Sequence, residues 1–181
     1  MFVSEVGLDA RTGQPIVLLK DEAGVRALPI WIGVAQANAI LRALENVKPP
    51  RPMTHDLLLN VVEELGYEVE RVEVNELTSG TFFATITLTL TDPKTKLEVK
   101  KPIDSRPSDA IALALRAKAP IFVAEAVMKE ASITVETEKE QAEDEEFKHF
   151  LEGLKASDFK IEGIRPDPDE PSDPEEERSN G

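Results

Sequence analysis

Twice along this chain, a run of β-forming segments closes on a Pro-Ile pair and gives way to an alanine-rich stretch too apolar to face water. The pairs are Pro29-Ile30 and Pro102-Ile103. A helix that is apolar around much of its surface must be covered on more than one side, so each stretch demands a layer packed over it. The preceding segments supply that layer. Residues 2–8, 15–19 and 25–32 read as strands separated by turn-forming stretches at 9–13 and 20–24. In the second half, strands are expected at 67–77, 81–90 and 96–103, with turns at Ser79-Gly80 and Asp92-Pro93-Lys94. Alternation is clearest in the middle one. Phe82, Ala84, Ile86, Leu88 and Leu90 share one face, and Phe83, Thr85, Thr87 and Thr89 the other.

The helices follow from a change of period. Ala35, Ala37, Ala39, Ile40, Ala43 and Leu44 predict a buried helix, which the proline-rich stretch 48–52 ends. Thr54 is the expected N-cap of a second helix, with Leu57, Leu58, Val61, Val62 and Leu65 on one face and Gly66 as its stop. Pro107 suits the first turn of a third helix through Lys118, since its missing N–H is not needed there. A short strand at 120–123 and a short helix at 124–131 complete the pattern. At an offset of 73 residues, Ala37 and Ala39 fall on Ala110 and Ala112, and Gln36 falls on Asp109. The expected fold class is therefore α+β. Duplicated β-β-β-α units, each with an extra helix, place mainly antiparallel curved sheets against buried helices. Trp31 and the alanine stripe are expected in the core.

Charge divides the chain. Residues 1–135 carry 15 Lys+Arg and 18 Asp+Glu, a net of −3, whereas residues 136–181 carry 6 and 17, a net of −11. The first part is expected to be the folded domain, 136–165 a charged amphipathic helical extension, and 166–181 a disordered, acidic, proline-rich tail. A nearly neutral domain lacks the broad basic footprint of a tight nucleic-acid binder, but it leaves room for a local basic groove. The tail is expected to repel nucleic acid, less so as salt rises. With no cysteine, disulfides and thiolate metal sites are excluded, which suits a reducing compartment. With no export signal or membrane-length apolar run in the sequence, the expected location is cytoplasmic.

Two polar clusters sit at helix starts: Arg51-Pro52-Met53-Thr54-His55-Asp56 and Asp104-Ser105-Arg106-Pro107-Ser108-Asp109. Nuclease chemistry usually needs oxygen ligands for a divalent cation, a group that orients water, and cations for the phosphate. Asp56, Asp104 and Asp109 are candidates to hold Mg²⁺ or Mn²⁺ if the clusters meet. His55 is the natural general base. Arg51 and Arg106 are candidates for phosphate oxygens, Arg106 beside a helix start where anions are already favoured. Each residue also has a structural reading. Ser108 and Asp109 can satisfy first-turn N–H groups, Arg106 can pair with Asp104 or Asp56, and His55 can lie at the surface. The lysines at 94, 96, 100 and 101 read as a solvated strand face.

These clusters, with Leu28-Pro29-Ile30-Trp31-Ile32-Gly33, resemble the bifunctional nuclease domain family over about residues 1–132. The resemblance implies an intracellular, oligomeric α+β protein acting on both DNA and RNA, with no settled set of catalytic residues. Gln36 departs from the family pattern, which typically has glutamate after the Trp-Ile-Gly motif. If that glutamate binds metal or acts as a base, the site here is weakened. The leading expectation is a broad-specificity, divalent-metal-dependent nuclease that forms a homo-oligomer. The alternative is a non-catalytic oligomeric module that binds a ligand or regulates a partner. A positive groove beside three converging carboxylates would favour the first, and a deep neutral pocket the second.

Overall fold

The computed structural model describes residues 1–135. The expected helical extension and acidic tail lie outside the described residues. Strands β1 (Phe2–Leu8), β2 (Pro15–Lys20) and β3 (Arg26–Trp31) form an antiparallel meander, followed by helices α1 (Val34–Leu44) and α2 (Thr54–Glu64). A second antiparallel meander follows, of β4 (Glu68–Thr78), β5 (Thr81–Thr91) and β6 (Glu98–Ser105). Helix α3 (Pro107–Ala117), β7 (Ile121–Val123), α4 (Glu125–Ala131) and β8 (Ile133–Thr134) complete it.

The α+β class is as expected: two mainly antiparallel sheets with four helices among the described residues. The order β-β-β-α occurs twice, and the bounds of α1 and α3 differ by 73 residues at both ends. The sheets are completed differently. Antiparallel β8 joins the third strand of the first meander, while parallel β7 joins the first strand of the second. The two-residue β8 is too short to leave a period in the sequence. Ser79 and Gly80 take φ of 51° and 75° between the paired Thr78 and Thr81, the left-handed geometry that a tight two-residue hairpin requires.

Helix α3 is the centre of the domain. It packs against α1 and α2 as well as β4 and β5. Its five consecutive residues Ala110–Ala114 are all buried. Alanines at 110, 112 and 114 let neighbouring backbones approach, while Ile111 and Leu113 fill the remaining space. Arg106 holds the N-cap position without a side-chain cap bond, and Pro107 takes the first helical position, as the missing N–H predicts.

Burying α3 on all sides leaves its partners half-covered, and several expectations change accordingly. Helix α1 buries Ala37 and Ile40, while Val34 is exposed. Helix α2 buries only Val62, and Leu57, Leu58, Val61 and Leu65 face outward. Trp31 is not a core residue. It is 48 % exposed, and its indole Nε1 donates to Asp9 Oδ2 at 3.0 Å. Thr54 is the first helical residue of α2 rather than its cap. Met53 holds the cap position, and its N–H donates to Asp56 Oδ2 at 2.9 Å, so the helix start is satisfied from within the first turn. The lysine run serves β6: Lys100 Nζ lies 2.7 Å from Glu70 Oε1, and Lys101 stands 5.2 Å from the centre of the Tyr67 ring.

Candidate functional site

Helices α1, α2 and α3 present their N-terminal turns to one cleft of about 260 Å³. Ala35 and Gln36 come from the start of α1, Met53, Thr54 and His55 from the start of α2, and Arg106 and Asp109 from the start of α3. A helix start has N–H groups without intrahelical partners and a partial positive charge, which Asp56 offsets in α2 and Asp109 in α3. Helix α1 has the barest one: Gly33 offers no side-chain cap, and no acid occupies the first turn. A Cβ on Gly33 would collide with the Gln36 amide oxygen, so glycine there gives the Gln36 side chain its place. Arg42 and Arg116 line the cleft further along. Its walls carry three arginines and a single carboxylate.

That carboxylate joins the two polar clusters. His55 Nε2 lies 3.1 Å from Asp109 Oδ1, and Arg106 Nε donates to Asp109 Oδ2 at 2.7 Å. Burial pushes the Asp109 carboxyl up, but the bonds and charges of Arg106 and His55 outweigh it and hold the group below its ordinary range. An ionised carboxylate only accepts hydrogen bonds, so the proton of a neutral imidazole sits on Nε2. In that tautomer Nδ1 carries the lone pair, and it makes no hydrogen bond among the described residues. Arg106 is held by its Nε alone, and its side chain is 67 % exposed. Its terminal nitrogens make no bond among the described residues and can meet a phosphate.

Asp56 does other work. Its Oδ1 pairs with Arg116 Nε, and its Oδ2 takes the Met53 N–H. Arg116 also donates to the carbonyls of Ala39 at 3.1 Å and Ala112 at 2.8 Å, so one guanidinium ties α1, α2 and α3 together. Burial raises the Asp56 carboxyl, and Arg116 with the Met53 N–H more than reverses this.

Asp104 is exposed on β6, opposite Thr85, and does not line the cleft. Successive strand residues point to opposite faces, so placing Ser105 against the Ala84 carbonyl turns Asp104 away. Arg51 is exposed in the loop before α2, also outside the cleft lining. His55, Asp109 and Arg106 are thus brought together, Asp56 belongs to the helix tie beside them, and Asp104 and Arg51 lie elsewhere. Among the described residues no group of three or more His, Asp or Glu side chains could hold a metal ion. Both oxygens of Asp109 and of Asp56 are engaged, so the donors present in one chain do not fit a Mg²⁺ or Mn²⁺ centre.

Arg42 and Arg116 were not singled out by the sequence reading. The available signal was the triplet Leu-Arg-Ala at the apolar C-terminal halves of two alanine-rich helices, at 41–43 and 115–117. An arginine so placed has to reach a carboxylate, a carbonyl or a ligand.

The fold and cleft define a two-sheet α+β protein with an arginine-lined junction of three helix starts, and comparison with known proteins gives it a family. Residues 17–136 match the bifunctional nuclease domain, and the chain belongs to that family. An uncharacterized protein of Mycobacterium tuberculosis is 38% identical over 155 residues, covering 81% of this chain and 89% of its own. Bifunctional nuclease 1 of Arabidopsis thaliana is 33% identical over 110 residues, 60% of this chain and 33% of that protein. Bifunctional nuclease 2 of Oryza sativa subsp. japonica is 32% identical over 111 residues, 61% and 33% respectively. The match therefore spans about a third of each plant protein. No helix among the described residues is long and apolar enough to cross a membrane.

Proposed function

We propose that the chain is a phosphodiester hydrolase acting on single-stranded DNA and RNA at the junction of the three helix starts. The observation that carries this reading is the placement of the His55–Asp109 pair among three helix N-termini and the free ends of Arg106 and Arg42. The phosphate binds where N–H groups and guanidinium ions already favour an anion. His55 Nδ1 takes the proton from the attacking water as its oxygen bonds to phosphorus, and Asp109 steadies the imidazolium that results. The bond from phosphorus to the leaving sugar oxygen breaks, and that oxygen takes a proton from solvent. Arg106 offsets the charge that grows on the phosphate oxygens. The names of the plant relatives and the family match support the same substrate class. A cytoplasmic setting agrees with the cysteine-free composition.

Dependence on Mg²⁺ or Mn²⁺ belongs to the proposal as a cofactor to be tested, and no step above passes through it. The deciding experiment is a nuclease assay on rigorously purified protein with Asp109→Asn alongside, each with and without EDTA. Hydrolysis in wild type and its loss in a folded Asp109→Asn support the reading, and the EDTA arm decides the cation requirement. A Gln36→Glu variant adds a second carboxylate to the cleft wall, and a gain in Mn²⁺-dependent thermal stability only in that variant would locate the missing ligand. Equal activity in wild type and Asp109→Asn would mark a contaminant and leave the non-catalytic binding module as the better account.

Self-association is the second part of the proposal, through the outward face of α2. Leu57, Leu58, Val61 and Leu65 are 56 %, 42 %, 47 % and 67 % exposed, an apolar stripe of the kind that marks an interaction surface. A second copy of the chain is the occupant proposed. Leu57→Glu with Val61→Glu is expected to lower the mass seen by light scattering while circular dichroism stays unchanged. An unchanged oligomer would place the contact elsewhere.

A further inference from the structure

The cleft is small for its proposed substrate, and the space around it continues on both sides. At about 260 Å³ it falls below the ~300–1,000 Å³ of ordinary ligand pockets. Toward the turn between β3 and α1, a second hollow of about 290 Å³ shares Gln36 and Arg106 with it. Trp31, Phe82, Gly33 and Gly80 stand in its wall. Along α1, a third hollow of about 590 Å³ shares Arg42 and Arg116 and adds Lys48 and Lys118.

The two ends differ in chemistry. The Trp31 indole is anchored through its N–H to Asp9 yet remains 48 % exposed, so the ring is fixed without being covered. The absent Cβ of Gly80 would meet nothing within 4 Å, which leaves that side of the hollow open. At the other end Arg42, Lys48 and Lys118 make no ion pair among the described residues. The one carboxylate there, Asp56, is already neutralised by Arg116. In a domain whose formal net charge is −3, this is a local cationic excess.

We infer that the three hollows form one track for a single nucleic-acid strand. A base stacks on Trp31, the scissile phosphate lies at His55 and Arg106, and a flanking phosphate is held by Lys48 and Lys118. The inference rests on the proposed nuclease reading and names its substrate subsites. Stacking on an aromatic face tolerates any base but requires it to be unpaired, so the track selects single strands without selecting sequence. Lysines act as point charges on the flanking phosphate, so their contribution falls as salt rises.

Trp31 is the sole tryptophan of the chain, so intrinsic fluorescence reports on that end alone. The test titrates the intact protein at low salt with phosphorothioate-linked oligothymidylates, a dinucleotide and a hexanucleotide, following fluorescence and the anisotropy of end-labelled strands. The hexanucleotide is expected to quench Trp31. Trp31→Leu should weaken its binding by about tenfold. Lys48→Ala with Lys118→Ala should weaken hexanucleotide binding by about tenfold at low salt, less at high salt, and leave the dinucleotide unaffected. Binding without quenching, together with wild-type affinity in both variants, overturns the track, as does the absence of binding at low salt. His55-dependent hydrolysis alongside either result would leave the nuclease reading standing alone. Quenching and lysine dependence without any hydrolysis would keep the track and remove the catalytic reading.

Discussion

His55→Ala is expected to slow cleavage of single-stranded substrates by about 10²–10⁴-fold while leaving their binding nearly unchanged. The imidazole is the proposed proton acceptor, whereas the same proposal assigns the holding of the phosphate to Arg106, Arg42 and the helix starts. Removing His55 therefore affects kcat. Arg106→Ala should lower both kcat and affinity, because its free guanidinium nitrogens are proposed to hold the phosphate and to offset the charge that grows on it. Asp109→Asn should resemble His55→Ala in kcat, since an amide can present its NH₂ to Nε2 and favour the wrong tautomer. Steady-state kinetics on one fluorescent oligonucleotide separates these effects. Equal losses of kcat and affinity in His55→Ala would remove the imidazole from the chemistry and reduce it to a contact.

Arg116→Ala is expected to cost about 2–3 kcal/mol of stability, a fall in Tm of roughly 6–10 °C for a domain of this size. Breaking a buried ion pair costs about 3–5 kcal/mol. The lower figure applies because the Asp56 side chain remains 26 % exposed against 11 % for Arg116. The loss includes the bonds to the Ala39 and Ala112 carbonyls that join α1 to α3. The effect should depend on pH with a definite sign. The Asp56 carboxyl is held below its reference value of 3.8, burial opposing and Arg116 prevailing. Its contribution is complete above that value and disappears as the pH falls through the lower folded one. The Tm gap between wild type and Arg116→Ala should therefore be full at neutral pH and narrow below about pH 4. A gap constant down to strongly acidic pH would show that the carbonyl bonds, not Asp56, carry the stability.

The strands were legible because period-two alternation and turn chemistry act locally. Phe82 to Leu90 and the Ser79-Gly80 hairpin declare themselves without reference to the rest of the chain. Helix positions were legible for the same reason, with Pro107 marking the start of α3. Which helix is central was not legible, because it depends on the sheet and helices that gather round it. Helices α1 and α3 are both rich in alanine, yet only α3 is covered on all sides. The same limit governs the site. The two polar clusters were readable as helix starts, and the His55–Asp109 contact joins them over 54 residues of sequence. Asp56 and Asp109 look alike in sequence as acids in a helix's first turn. What separates them is Arg116, sixty residues from Asp56, whose reach only the packed helices define.

The outer edge of β6 has a consequence for how copies of this molecule meet. An uncovered strand edge offers N–H and C=O groups to any passing chain and is a common seed of filament growth. Among the described residues, β6 has β5 on one side and no strand on the other, and every residue from Glu98 to Asp104 is exposed. A strand arriving there would have to strip water from Lys100 and Lys101, and Pro102 has no N–H to donate. Extension of this sheet past β6 is thus discouraged by the side chains and the proline of the edge strand itself.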